Sequence, residues 1–368
     1  MNHQDYMRLA LELAERGAGW TNPNPLVGAV IVKDGTIIGQ GYHQRYGQAH
    51  AERNALQSCT QDPRGATLYV TLEPCCHQGK QPPCTQAILD AGIAKVVVSS
   101  HDPNPLVAGK GLEILRRHGI EVETGVCQEA CDALNQVFFH YIRTRRPYVV
   151  MKYAMTMDGK IATRTGASRW ITGPEARAQV HRDRNRYAAI LVGVGTVLAD
   201  DPLLTCRMEG GQNPLRIVCD THLRTPLDRQ LVRTAHQVPT LVATCSTDPA
   251  RIFPLEDAGC QVWTLPEREG HVDLAALMER LGAQGIDSVI LEGGGTLNWA
   301  ALEQGIVHKV QAYLAPKLLG GRDAKSPVEG LGVATPAQGI PLKHTTVTQL
   351  GADLLLESEV DVDVYRNR

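Results

Sequence analysis

Aromatic residues are scarce in this chain: they make up 5% of it, and only three of the 368 residues are Phe. Few flat rings are therefore on offer for stacking single-stranded bases. Charge of one sign is not in excess either, since 37 Lys and Arg stand against 39 Asp and Glu. No overall basic field favours nucleic acid or an anionic membrane. Long apolar runs are missing too. The longest weakly polar stretch, AAILVGVGTVLA at 188–199, is too short to span a bilayer and is broken by glycine. The opening MNHQDYMRLALELAERG carries charges throughout, with Met7, Leu11 and Ala14 at helical spacing. It reads as an amphipathic helix and lacks the apolar core of a signal peptide. Ten cysteines at irregular spacing, without such a signal, favour reduced thiols or metal ligands over a disulfide framework. The expected setting is the cytoplasm, with no membrane and no nucleic acid as partner.

What is present is an alternation of apolar runs and helical patterns. GAVIVKDGTIIGQGYH (28–43) reads as a hairpin around Lys-Asp-Gly. Helical spacing follows at 50–59, a strand at 66–72, a helix at 85–92 closed by Gly92, a strand at 95–100, a helix at 111–120 and a strand at 121–126. RTRRP (143–147) interrupts the pattern and reads as a linker. The alternation then restarts, with strands expected at 148–155, 188–195, 215–220, 240–245, 288–295 and 309–315. Helices are expected at 173–184, where Pro174 suits the first turn, and at 274–285. Length and pattern together give two α/β domains, 1–145 and 146–368, with the boundary near Pro147.

Residues 70–84 read VTLEPCCHQGKQPPC, preceded by His50-Ala-Glu52 at the start of an expected helix. One imidazole and two thiolates are the three protein ligands of a catalytic zinc site, whose fourth position is left to water. A nearby carboxylate that does not ligate can shuttle the water's proton. On a continuous helix His50 and Glu52 would point to different sides, so they converge only if the metal sits off the helix's N-terminal end. A structural zinc site would instead close with a fourth ligand, Cys76 or His77, and would not need Glu52.

This arrangement resembles the zinc-dependent cytidine deaminases, whose signature is H-x-E followed by P-C-x-x-C. Here eight residues, CHQGKQPP, separate Cys75 from Cys84. That longer form resembles the deaminase half of the bifunctional riboflavin-biosynthesis enzymes, as do NPLVGAVIV (24–32), TLEPC and DPNPLVAGKG (102–111). The resemblance implies a three-layer α/β/α domain with His50, Cys75 and Cys84 on zinc and Glu52 as general acid/base. Its substrate would be a phosphoribosylated pyrimidine, with His77 and Lys80 as candidate contacts and Cys76 a bystander. The rival reading is a nucleoside- or RNA-editing zinc deaminase with an accessory domain. That rival calls for a basic face, more aromatics and the short cysteine spacing.

In the second half, a strand ends in Glu292, and Gly293-Gly294-Gly295 lead into a helix at Thr296. Glycines let backbone approach a pyrophosphate, and a helix N-terminus offers free N–H groups. A tight strand-to-helix turn would look the same, and the full G-x-G-x-x-G pattern is missing. LVGVGTVLADDPLLTCR (191–207) delivers Thr196 and Asp200 from a glycine-broken strand, with Arg207 just beyond. With MKYAMTMDGKIA (151–162) and SRWITG (168–173), these stretches resemble the reductase half of the same enzymes, similar in fold to dihydrofolate reductase. The resemblance implies NADPH at Ala154, Trp170, Thr196, Asp200, Thr221 and Gly294, Gly295, Thr296, Leu297, Asn298, Trp299 and Ala300. It places substrate at Ser168, Arg184, Leu204, Arg207 and Glu292, with the two arginines suited to a phosphate. Lys152, in an apolar strand, is a candidate for protonating or orienting the sugar, and Asp158 reads as structural. A homo-oligomer is expected.

Overall fold

The computed structural model describes residues 1–79 and 81–361. The chain divides into two compact units, Met1–Arg145 and a second beginning at Arg146. The first unit runs α1 (His3–Glu15), β1 (Gly28–Lys33), β2 (Thr36–Tyr42), α2 (Ala51–Gln57), β3 (Thr67–Leu72) and α3 (Cys84–Asp90). It continues with β4 (Lys95–Ser100), α4 (Lys110–Arg117), β5 (Glu121–Thr124), α5 (Gln128–Leu134) and α6 (Gln136–Thr144). The sheet order is β2-β1-β3-β4-β5. β1 is antiparallel to both neighbours, while β3, β4 and β5 are parallel.

Strand alternation explains the three layers. Ile31, Leu68, Val70, Val96 and Val98 face Ala51, Ala55, Ile88, Leu112 and Leu115 of the helices on one side. The intervening Val30, Val32, Tyr69 and Val97 face Tyr6, Met7, Ala10 and Leu13 of α1 on the other. Each large side chain so removed from water is worth about 1.5–3 kcal/mol. The β1–β2 turn places Asp34 and Gly35 at φ 49° and 77°, the left-handed pair that matches strand twist in a two-residue hairpin. Gly28 is required for a different reason. A Cβ there would stand 1.9 Å from the Ala10 carbonyl oxygen, so α1 lies directly on the backbone of β1.

The second unit comprises β6 (Tyr148–Thr156), α7 (Pro174–Arg186), β7 (Ala189–Gly193), α8 (Val194–Asp200), β8 (Leu215–Cys219), α9 (Gln230–Arg233) and β9 (Thr240–Thr244). There follow α10 (Pro249–Asp257), β10 (Gln261–Thr264), a small hairpin β11–β12 (Glu267–Arg268, His271–Val272), α11 (Leu274–Ala283) and β13 (Ser288–Leu291). The chain closes with α12 (Gly295–Glu303), β14 (Lys309–Ala315), β15 (Leu342–Leu350) and β16 (Asp353–Val360). The order β10-β9-β8-β7-β13-β6-β14-β16-β15 makes one sheet. It is parallel from β10 to β14, and its edge is the antiparallel β15–β16 hairpin.

Three expectations need correction. The RTRRP stretch is not a linker throughout: α6 takes in Arg143 and Thr144, because Phe138 and Tyr141 bury a helical face and carry the helix that far. The strand expected at 188–195 stops at Gly193, so that Thr196 and Asp200 lie on α8, and the strand expected at 288–295 stops at Leu291. Val194 and Val197 are buried one helical turn apart, which fixes the period at 3.6 despite the β-branched composition. The C-terminal hairpin β15–β16 and helices α5 and α10 are additions that the sequence pattern did not yield.

Candidate active sites

His50 is the N-cap of α2, with extended backbone angles, and Glu52 sits in that helix's first turn. His50 is therefore off the helix end, the placement that lets an imidazole and a carboxylate two residues apart serve one point. Cys75 lies in the turn after β3, and Cys84 opens α3. His50 Nδ1 stands 3.5 Å from Cys75 Sγ and 3.4 Å from Cys84 Sγ. All three ligating atoms fall within 4.8 Å of one another. The Cys84 amide N–H points at Cys75 Sγ at 3.4 Å.

The chemistry of this donor set suits a metal. The hydrogen bond from Cys84 holds the Cys75 thiol down to about 4 and pushes Cys84 well above its ordinary value, so the pair shares one proton. A divalent cation held by these three atoms would displace that proton. Glu52 is only 3% exposed, and burial, with the Cys75 charge adding to it, pushes its carboxyl up to about 7. Cys76 turns elsewhere, its thiol toward the Leu106 carbonyl at 3.8 Å. His77 lines the same cavity, and its Nδ1 is buried without a partner among the described residues. Lys80 lies outside the described residues.

The cavity in front of the cluster holds about 300 Å³ and also takes in Asn24, His43, Asp102 and Asn104. These four had no role in the sequence reading, although all belong to stretches quoted there. His43 Nδ1 is 3.1 Å from the Ala49 carbonyl, which can only accept, so its Nε2 accepts from the Asn24 amide at 3.1 Å. Burial lowers the His43 pKa and keeps this ring neutral. Burial raises Asp102 to about 6.

In the second unit, β13 ends just before Glu292, which forms a largely buried forked pair with Arg184 of α7. Arg184 donates from Nε and Nη2 to the two carboxylate oxygens at 2.8 and 2.9 Å, and from Nη1 to the Thr205 carbonyl at 3.2 Å. Lys152 Nζ of β6 lies 3.7 Å from the same carboxylate. Burial alone would raise Glu292, but Arg184 and Lys152 overcome it and hold the group down to about 2. The fork of Arg184 thus faces Glu292, the other of these residues expected at the substrate. Arg207 is exposed, and its amide reaches His181 Nδ1 at 3.3 Å. His181 is half-buried, and its pKa is lowered by burial and then by Arg184 and Arg207. It lies three residues before Arg184 on α7, a spacing that could have flagged it.

The triple glycine is not uniform. A Cβ on Gly293 would meet Leu297 at 2.8 Å, and one on Gly295 would meet Glu329 at 2.5 Å. On Gly294 the nearest atom would be Thr196 Oγ1 at 3.7 Å. Protein therefore fills the space beside two of the glycines and leaves the middle one open, next to α8. Asp200 accepts from Ser168 Oγ at 3.1 Å and from Arg169 through its carbonyl at 2.6 Å. Trp170 is 58% exposed, with the Arg177 guanidinium 4.7 Å over its ring. Asn298 is buried and donates to the Pro327 carbonyl, Leu204 is buried, and Ala154 packs beside Tyr313. Thr221 follows β8, and its carbonyl accepts from Cys245 N and Thr244 Oγ1. No hydrogen bond among the described residues joins it to the glycine turn. Asp158 ties its turn to the backbone of Leu319 and Gly320, a structural duty.

Comparison with known proteins decides between the readings. A family model described as the cytidine and deoxycytidylate deaminase zinc-binding region matches residues 1–100, and the RibD C-terminal domain matches 147–356. The chain is 54% identical to the riboflavin biosynthesis protein RibD of Actinobacillus pleuropneumoniae, over 97% of this chain and 95% of that one. The chain belongs to the RibD family. It is a bifunctional enzyme of riboflavin biosynthesis, a deaminase joined to a reductase. RibD of Escherichia coli K12 is 42% identical over 97% of this chain and 99% of its own. Among solved structures, a deaminase/reductase from Thermotoga maritima superposes with a TM-score of 0.87 at 37% identity, covering 97% of this chain and 98% of that one. RibD of Acinetobacter baumannii gives 0.87 at 39% identity, with the same coverage. The editing-deaminase alternative is not favoured. No helix among the described residues is long and apolar enough to cross a membrane.

Proposed function

We propose that the first unit deaminates 2,5-diamino-6-(5-phosphoribosylamino)pyrimidin-4-one at its 2-amino group, and that the second reduces the ribosyl group of the product to ribityl with NADPH. The Thermotoga maritima relative is described as a deaminase and reductase acting on phosphoribosylamino pyrimidines, which supports this substrate class. The observation that carries the reading is the convergence of His50 Nδ1, Cys75 Sγ and Cys84 Sγ beside buried Glu52. These three residues would hold zinc, which when bound supplies the Lewis acidity that activates water. Glu52 takes the proton of the attacking water and returns it to the ring and the departing amine, so water is consumed and ammonia leaves.

In the second unit NADPH supplies the hydride, and the protein positions the reacting carbon. Glu292, kept ionised by Arg184 and Lys152, presents its remaining lone pairs to sugar hydroxyls, and Lys152 orients the opening sugar. Arg207, exposed beside His181, is the phosphate contact. Gly294 and the first amides of α12 receive the cofactor's pyrophosphate, with Thr196, Asp200 and Trp170 nearby. Arg216 is no candidate for the 2′-phosphate, being fully buried with both terminal nitrogens bonded to Leu203, Leu231, Val238, Thr234 and Thr240. Ten free cysteines fit a reducing cytoplasm, and the exposed edge strand β15, with Leu342 and Val347 outward, fits pairing with a second copy.

Metal analysis of serine variants tests the zinc site. Cys75→Ser and Cys84→Ser should lose zinc and ammonia release together, while Cys76→Ser keeps both. Loss of zinc in Cys76→Ser would overturn the ligand set and point to a closed, structural site.

A further inference from the structure

Glu73 is the residue between the last strand residue of β3 and the Pro74-Cys75 turn, and its side chain is fully buried. Both carboxylate oxygens are used. Oε2 accepts from the Gly109 amide at 3.0 Å and Oε1 from the Gly111 amide at 3.1 Å. These amides belong to the entry of α4, the end of the DPNPLVAGKG segment. The start of that segment supplies Asp102, Asn104 and Val107 to the wall of the deaminase cavity. The contact is tight on both sides, since a Cβ on Gly111 would stand 2.2 Å from the Pro74 carbonyl oxygen. The remaining neighbour, His101, is exposed and 3.7 Å away. Glu73 thus bridges the turn that carries one thiolate and the segment that walls the cavity.

We infer that Glu73 is a positioning residue of the deaminase. It fixes the register between the Cys75 turn and the 102–111 segment, so that the substrate-facing wall stands at a set distance from the metal cluster. A carboxylate is the side chain this role demands, because two converging N–H donors need two acceptor oxygens. An amide of the same size offers one acceptor and sets its own N–H groups against the other donor. Glu73 touches neither of the cluster's three ligating atoms nor the general acid/base by any hydrogen bond among the described residues. Its effect is therefore on the cavity wall and falls on substrate binding first.

This inference rests on the reading of the first unit as the deaminase, and the test separates the two. Glu73→Gln is compared with the parent for ammonia release per bound zinc, zinc content, thermal unfolding, and NADPH oxidation on the already deaminated substrate. The expected result is a KM for deamination raised about tenfold or more, with kcat changed less than about threefold, near-parental zinc and unchanged NADPH oxidation. His101→Ala should match the parent in every column. Unchanged KM per bound zinc in Glu73→Gln, with only zinc or unfolding temperature lowered, would reduce Glu73 to a structural role and overturn the inference. So would the same KM rise in His101→Ala, since the ion pair and not the backbone bridge would then be responsible. A parent protein that released no ammonia would sink the deaminase reading itself. If Glu73→Gln is recovered unfolded, hydrogen exchange in the parent decides: Gly109 and Gly111 amides should be protected like the core of β4, and rapid exchange of both contradicts the bridge.

Discussion

At the scale of single residues, the buried pair between Arg184 and Glu292 sets how the reductase half responds to mutation. The sequence offers Arg184 as one of two cations for a phosphate, but no pattern of residue types could show that its fork is already filled across 108 positions of chain. Removing the arginine leaves Lys152, 3.7 Å away, as the carboxylate's remaining cation, so the loss falls below the about 3–5 kcal/mol of a buried charge left unpaired. Arg184→Ala should therefore unfold at lower urea, and adding Glu292→Ala should restore part of the loss. An Arg184→Ala protein of parental stability would show that the pair carries no such weight. Asp183, the preceding residue, behaves oppositely. Burial raises its carboxyl to about 6, against hydrogen bonds from Tyr313 and Gln179. The folded state then holds a proton that the unfolded state has released, so this group's contribution to stability falls as pH rises from about 4 to about 6. Subtracting the stability of Asp183→Asn from that of the parent should give a difference that declines over this window. A flat difference would mean that Asp183 is ionised throughout.

At the scale of elements, the legible parts were those whose signal is local. The Asp34-Gly35 hairpin and the helix after the glycines follow from neighbouring residues. Histidine at the N-cap of α2 was legible because H-x-E at a helix start permits one geometry. What escaped depends on distant partners: α8 is helical because Val194 and Val197 find a core, and Asn24 faces the cavity through His43. Asn135 shows the same dependence, since its amide pairs with both backbone groups of Leu26 and so fixes the Asn24 turn to the α5–α6 junction. The glycine turn yields the prediction at this scale. Gly294→Ala adds a methyl whose nearest neighbour is an ordinary contact at 3.7 Å, so the fold tolerates it. If the turn cradles the cofactor, the methyl stands in the approach path and the KM for NADPH rises about tenfold or more, with ammonia release unchanged. Parental NADPH kinetics in this variant would place the cofactor elsewhere.

At the scale of the whole molecule, each compact unit holds its own core and its own set of chemical groups. His50, Cys75, Cys84, Glu52 and the cavity wall all come from the first unit, and Lys152, Arg184, Glu292 and the glycine turn from the second. Two reactions on one chain need no shared side chain. The most direct measurement is therefore NADPH oxidation by Glu52→Ala supplied with the deaminated intermediate, beside ammonia release from the diaminopyrimidine. Two independent sites predict that ammonia release is abolished while NADPH oxidation continues at close to the parental rate. Loss of NADPH oxidation in a folded, zinc-loaded Glu52→Ala protein would contradict that account and require one composite site.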